Sequence, residues 1–200
     1  MTFNVNAFRA LALRDGLARP NLFEVQITNA PPGIADGALQ NASLLIQAAE
    51  LPGSYVGKTV VPYMGRTIPI AGNREFADWR ITIMNDEDFG LRNLFEAWHN
   101  KINSIQSNRQ DSTENLMDYL VDAEVLQYGK AGPGDESGVI RAYKFVGMWP
   151  TQIDPIPLGW DRNNTYESFD VTMAYAYWEP SDFGGGPGYS VTTPPDPTQS

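Results

Sequence analysis

The stretch FADWRITIMNDEDFGLRNLFEAWHNKI, Phe76 to Ile102, decides the fold, because its side-chain period changes once, across a single acidic turn. Trp79, Ile81 and Ile83 recur at every second position, with Asp78, Arg80 and Thr82 alternating between them, as a half-buried strand requires. From Leu91 the apolar residues fall at Leu94, Phe95, Trp98 and Ile102, three or four apart, so they share one helix face. Asn85 or Asp86 is placed to cap this helix by accepting a first-turn N–H, and Glu87 and Asp88 complement its dipole. Gly90 is its weak spot, costing about 1 kcal/mol against alanine in a helix interior.

Working outward, the other segments with a clear period read as strands. Phe23, Val25 and Ile27 alternate with Glu24 and Gln26 between Asn21 and Thr28. Ser43 to Glu50 reads as a second strand, closed by Leu51-Pro52-Gly53. Tyr55 to Met64 and Arg66 to Ala71 read as a hairpin turning near Gly65, with Pro62 and Pro69 marking edges or strand ends, since proline cannot donate to a ladder. Asp118 to Tyr128 sets Tyr119, Val121, Ala123 and Val125 against Asp122 and Glu124. A glycine-rich turn from Gly129 to Gly138 returns the chain as Val139 to Met148, which Trp149-Pro150 ends. The last strand, Glu167 to Trp178, puts Phe169, Val171, Met173, Tyr175 and Tyr177 opposite Asp170, Thr172, Ala174 and Ala176. Phe8, Leu11 and Leu13 with Ala10 and Ala12 form a short N-terminal helix ended near Gly16 and Pro20, and Asn103 to Glu114 reads as a polar loop. After Pro180 the chain is rich in glycine and proline and buries no surface by itself. The result is a mainly β domain over residues 1–179, including an N-terminal segment 1–19, with an extension over 180–200.

Two hundred residues at 42% hydrophobic and 12% aromatic suffice for one domain with a real core. A count of 24 acidic against 14 basic residues, net −10, argues against binding nucleic acid through phosphate contacts. With no cysteine, disulfides and thiolate chemistry are excluded. Residues 1 to 20 lack a continuous apolar secretory segment, and no stretch is long enough to cross a bilayer, so the expectation is a soluble protein of the cytoplasm with no membrane insertion.

Catalytic, cofactor and metal sites are not expected. The single histidine, His99, has no sequence neighbour suited to orient it as a base, so it reads as a packing or surface residue. The run Asp86-Glu87-Asp88 reads as helix-start charge rather than a cation site. Asp161-Arg162-Asn163-Asn164-Thr165 lacks the glycine and glutamate of a calcium loop and reads as an Asx-rich turn. Five tryptophans and nine tyrosines, with Asp161 and Glu167 nearby, keep a carbohydrate-binding or glycosidase β-sandwich as a competing reading. Most of these aromatics share alternating faces with Val, Ile and Met, which favours packing.

The chain resembles the tail tube proteins of contractile-tailed bacteriophages. The likeness is carried by Ala18-Arg19-Pro20-Asn21-Leu22-Phe23-Glu24-Val25, Glu50-Leu51-Pro52-Gly53, and Met64-Gly65-Arg66 leading to Ile70-Ala71-Gly72-Asn73-Arg74. It continues in Phe76-Ala77-Asp78-Trp79, Met84-Asn85-Asp86-Glu87, Gly147-Met148-Trp149-Pro150, Trp160-Asp161, Asn164, Phe169 and Tyr177-Trp178-Glu179. The segments 29–42, 103–116 and the tail after Glu179 depart from the family pattern.

The resemblance implies two packed antiparallel sheets, sandwich- or barrel-like, with one amphipathic helix on their outer side. It implies six-membered rings closing an inner β-barrel and stacking as a hollow tube inside a contractile sheath. The implied partners are the chain itself, the tail sheath protein, and baseplate and tail-terminator proteins. The implied place is the virion, after assembly in the host cytoplasm, with DNA passing through the lumen unbound. The inner tube of a type VI secretion-like or other injection machine is similar and remains an alternative. A ring of six would carry about six times the chain's −10, and acids facing the bore would repel phosphate. Asp122, Glu124 and Asp170 are the candidate lumen-facing residues, and Tyr55, Val60 and Ile68 the candidate subunit or ring contacts.

Overall fold

The computed structural model describes residues 4–12, 17–35, 37–110, 117–130 and 138–181. In chain order the elements are α1 (Val5–Ala12), β1 (Phe23–Ile27), a 3-10 turn (Gly37–Asn41), α2 (Ala42–Leu45), β2 (Ile46–Ala49), β3 (Tyr55–Tyr63) and β4 (Arg66–Glu75). They continue as β5 (Trp79–Met84), α3 (Gly90–Ile102), β6 (Val121–Tyr128), β7 (Val139–Ile153), β8 (Ser168–Ala174) and β9 (Tyr177–Ser181). Seven strands make one sheet, ordered β1-β6-β7-β8-β5-β2 with β9 beside β7, and β3 and β4 make a second sheet of two. The pairs β2–β5, β5–β8, β7–β8 and β3–β4 are antiparallel. The protein is thus mainly β with two antiparallel sheets and one long helix, as expected.

The chain falls into two compact units. The smaller comprises Met1–Phe23, Leu126–Ala142 and Pro180–Ser200. It is organised on Leu126, Tyr128, Val139 and Ala142, with Leu22 packed against them. The Gly129 N–H donates to the Gly138 carbonyl at 2.8 Å, so the expected glycine-rich turn is closed at its ends; residues 131–137 lie outside the described residues.

The larger unit, Glu24–Val125 and Tyr143–Glu179, contains the stretch that decides the fold. On β5 and β8 the register pairs Trp79 with Met173, Ile81 with Val171 and Ile83 with Phe169, and all six side chains are buried. Such directly opposed apolar pairs are the unit of sheet stabilisation, and each large side chain wholly buried contributes about 1.5–3 kcal/mol. On α3, Leu91, Leu94, Phe95 and Trp98 are buried, as their spacing predicts. The Trp98 indole N–H donates to the Tyr119 carbonyl at 2.8 Å, and the Arg92 guanidinium lies 5.1 Å above the Phe169 ring. These contacts fix the helix against the core face of the sheet.

Six local expectations are corrected. The helix starts at Gly90, behind a left-handed Phe89 with φ 55°, rather than at a cap on Asn85 or Asp86. Asp86 still serves the first turn, its Oδ1 accepting the Gly90 N–H at 3.0 Å, while Asn85 bonds Glu167 through its backbone and side chain. At this first position Gly90 lies outside the helix interior, where the glycine penalty applies, and a Cβ there would meet only ordinary contacts at 3.5 Å. Ser43 belongs to α2, and the second strand begins only at Ile46. β7 does not end at Trp149-Pro150 but continues to Ile153; Pro150 is buried opposite Met173, and a register shift between Pro150 and Gln152 accommodates the missing N–H. The last strand breaks after Ala174, where the Ala176 N–H turns away to the Val146 carbonyl, so Tyr175 and Tyr177 do not continue the buried row. In β6, which begins at Val121, alternation slips between Val125 and Leu126, both buried, and there one compact unit gives way to the other.

Candidate assembly surface

Among the described residues β3 and β4 form a sheet with no third strand. Met64 and Gly65 both take positive φ, 46° and 80°, which makes the tight two-residue turn that matches strand twist. Every residue from Tyr55 to Glu75 is exposed except Gly57 and Gly72. Those two glycines meet at a register shift, where a Cβ on Gly72 would stand 3.0 Å from the Gly57 carbonyl oxygen. Tyr55, Val56, Val60, Val61, Tyr63, Ile68 and Ile70 are each 43–62% exposed.

The register separates the two candidate contacts. Val61 pairs with Ile68 and Thr59 with Ile70 on one face, while Val60 pairs with Pro69 on the other. Val60 and Ile68 therefore mark opposite faces, and both faces carry apolar side chains. Pro62 and Pro69 sit in strands whose outer edges are unpaired, as proline demands.

The base of this hairpin is clamped by aromatic residues. The Trp79 indole donates to the Glu50 carbonyl at 2.7 Å and the Trp178 indole to the Gly53 carbonyl at 3.0 Å. Phe76 packs on Tyr175 and Trp178, Phe145 stacks on Trp79 at 4.4 Å, and Tyr143 meets Trp178 edge-on. These aromatics are packing residues, as their alternation predicts. Trp160 is not: it stands fully in solvent, in a turn-rich segment whose sequence has no period to reveal its orientation. That segment makes the expected turn, with Arg162 N–H to the Gly159 carbonyl and Asn164 at φ 62°.

Asp122 and Glu124 alternate with buried Val121, Ala123 and Val125, and Asp170 with buried Phe169 and Val171. All three acids therefore lie on the sheet face opposite the core and opposite α3. Asp122 accepts the Gly147 N–H at 3.1 Å and pairs with Lys144 at 3.1 Å, which raises the lysine's pKa through that hydrogen bond and the carboxylate charge. Asp170 is paired with Arg80, which also reaches Asp154 at 3.2 Å. Partial burial pushes the Asp170 carboxyl up, but hydrogen bonds from Thr82 and Arg80 and the charge of Arg80 outweigh it, so its pKa is lowered.

His99 lies on α3, half-buried. One ring nitrogen, Nε2, is buried without a hydrogen-bond partner among the described residues, while the Pro150 carbonyl accepts from the ring. Burial lowers its pKa, the Pro150 carbonyl opposes this, and Arg92 adds to it, so the imidazole stays neutral.

The fold and its surface define a β-structured protein whose distinguishing feature, among the described residues, is an exposed two-stranded sheet with apolar side chains. The tube-terminating cap of the anti-feeding prophage shares this fold, with a TM-score of 0.55 at 13% identity, over 82% of this chain and 91% of that one. Residues 18–181 match the family described as phage tail tube protein. The tail tube protein gp19 of Enterobacteria phage T4 is 36% identical over 162 residues, covering 81% of this chain and 91% of that protein. The tail tube protein of Serratia phage KSP90 is 27% identical over 172 residues, covering 86% and 93%. This chain belongs to the phage tail tube protein family.

Proposed function

We propose that this chain is the repeating subunit of the inner tube of a contractile phage tail. Copies close head-to-tail into rings of six, and the rings stack into a hollow tube through which DNA passes without specific binding. Its partners are further copies, the surrounding sheath, the baseplate and a terminator, and its working place is the virion. The observation that carries this reading is the β3–β4 hairpin. A lone two-stranded hairpin is marginal in water, and this one has exposed apolar side chains on both faces, with no cover from the described residues of its own chain. Another subunit is the natural cover, since unpaired strand edges and apolar faces are what head-to-tail assembly uses.

Asp122, Glu124 and Asp170 are proposed to face the bore, supported by their shared position on the polar sheet face away from α3. Lys144 and Arg80 temper two of these charges, which leaves a weakly repulsive wall rather than a bare acidic one. The phage reading is preferred to an injection machine because 36% identity is to a phage protein, whereas the injection-system likeness at 13% concerns the fold. Electron microscopy of the purified protein tests the proposal. Rings or tubes are expected, and a monodisperse monomer at all concentrations and ionic strengths contradicts it.

A further inference from the structure

The hairpin differs from the rest of the chain in charge as well as in exposure. Of 14 basic and 24 acidic residues in the protein, the segment Tyr55 to Glu75 holds three basic, Lys58, Arg66 and Arg74, and one acidic, Glu75. It is a basic, apolar projection on an acidic protein, and its tip residue Met64 is 89% exposed.

A surface of the opposite character lies at the other end of β5. The hairpin leaves from the Ala49 end of β2 and returns to the Trp79 end of β5. At the Met84 end, about 20 Å along a strand of six residues, two loops are joined. Met84 pairs with Ser168, and the Asn85 N–H and side-chain amide both donate to Glu167, at 2.9 and 3.0 Å. This junction ties the end of β5, from which exposed Glu87, Asp88 and Phe89 follow, to the end of the segment that carries exposed Leu158, Trp160, Asp161 and Tyr166. Leu158 is 80% and Trp160 103% exposed, and a pocket of about 180 Å³ opens between Leu158 and Tyr166. Arg162 is the one basic residue of this surface; among the described residues Glu87, Asp88 and Asp161 form no ion pair.

We infer that this acidic, aromatic surface is the seat of the β3–β4 hairpin of a second copy of this chain, with Met64 and Tyr63 on Leu158 and Trp160, and Lys58 and Arg66 facing Asp161, Asp88 and Glu87. The inference rests on the tube reading and specifies which surface meets which. Because projection and seat lie at opposite ends of one strand, the contact is heterologous: each copy gives a hairpin at one end and receives one at the other, so the arrangement repeats. Opposite charge sets its register and apolar contact its strength.

The absence of cysteine makes a covalent test clean. Full-length Met64→Cys/Leu158→Cys, assembled and oxidised, is expected to give a ladder of disulfide-linked oligomers under denaturing conditions, which neither single variant gives. In parallel, Arg66→Glu/Lys58→Glu is expected to lose at least tenfold in tube yield, as is Asp88→Lys/Asp161→Lys. The chain carrying all four changes is expected to recover assembly. Wild-type tubes with no ladder from the double cysteine variant and no recovery by the four-fold variant overturn the seat and leave the tube reading standing. Failure of the wild-type chain to form rings or tubes at all overturns both.

Discussion

The β5–α3 stretch and the β3–β4 hairpin are built from similar residues, yet the apolar face of one is buried within the chain and, among the described residues, that of the other is uncovered. β5 buries Trp79, Ile81 and Ile83 against β8, and α3 buries Phe95 and Trp98 on the same side. β3 and β4 carry Val56, Val60, Val61, Ile68 and Ile70 exposed, with none of the described residues covering them. Apolar alternation thus predicts that a face will be covered, and leaves open whose atoms cover it. On the proposed reading, the first stretch supplies the stability of the single chain and the second that of the polymer.

The largest effect that tests this division is in the core. Trp98→Ala removes a wholly buried indole and its hydrogen bond to Tyr119, and is expected to destabilise the isolated subunit by about 3–5 kcal/mol in urea unfolding. Val61→Asp or Ile68→Asp is expected to do the reverse: subunit unfolding changes by about 0.5 kcal/mol or less, while electron microscopy shows tubes lost. Equal damage to subunit stability by both kinds of substitution would erase the distinction between the two regions.

Two smaller effects concern titration. His99 has a lowered pKa in the folded subunit, so the native state prefers its neutral form and stability falls as pH drops below about 6.5, the unfolded value. His99→Gln should flatten that part of the stability profile, read by chemical denaturation between pH 5 and 7. Smaller still, the lowered pKa of Asp170 contributes stability present above about pH 4 and lost as pH falls through the folded value, so Asp170→Asn should blunt the acid limb alone.

Much of this architecture was legible in the sequence, because β5, α3 and the buried row of β8 obey one period over their whole length. The hairpin was legible too, its turn at Gly65 and its prolines included. What misled was local: Pro150 inside a strand depends on a bulge set by β8, and the break after Ala174 depends on a hydrogen bond to Val146, thirty residues away in sequence terms. The helix start was displaced because Asp86 acts from a turn closed by Phe89 at positive φ, a conformation no propensity predicts for phenylalanine. The candidate contacts Val60 and Ile68 carry no face assignment in the sequence, and the register shows that they lie on opposite faces. Trp160 lies outside the alternating runs, and nothing in its neighbours marks it as exposed.

Hydrogen exchange of the subunit and of the assembled tube, followed by mass spectrometry over residues 55–75 and 90–102, tests the central claim most directly. The account predicts that the hairpin amides exchange rapidly in the subunit and slow markedly on assembly, while those of α3 are protected equally in both. A hairpin protected to the same degree in the isolated subunit, or unprotected in the tube, would contradict it.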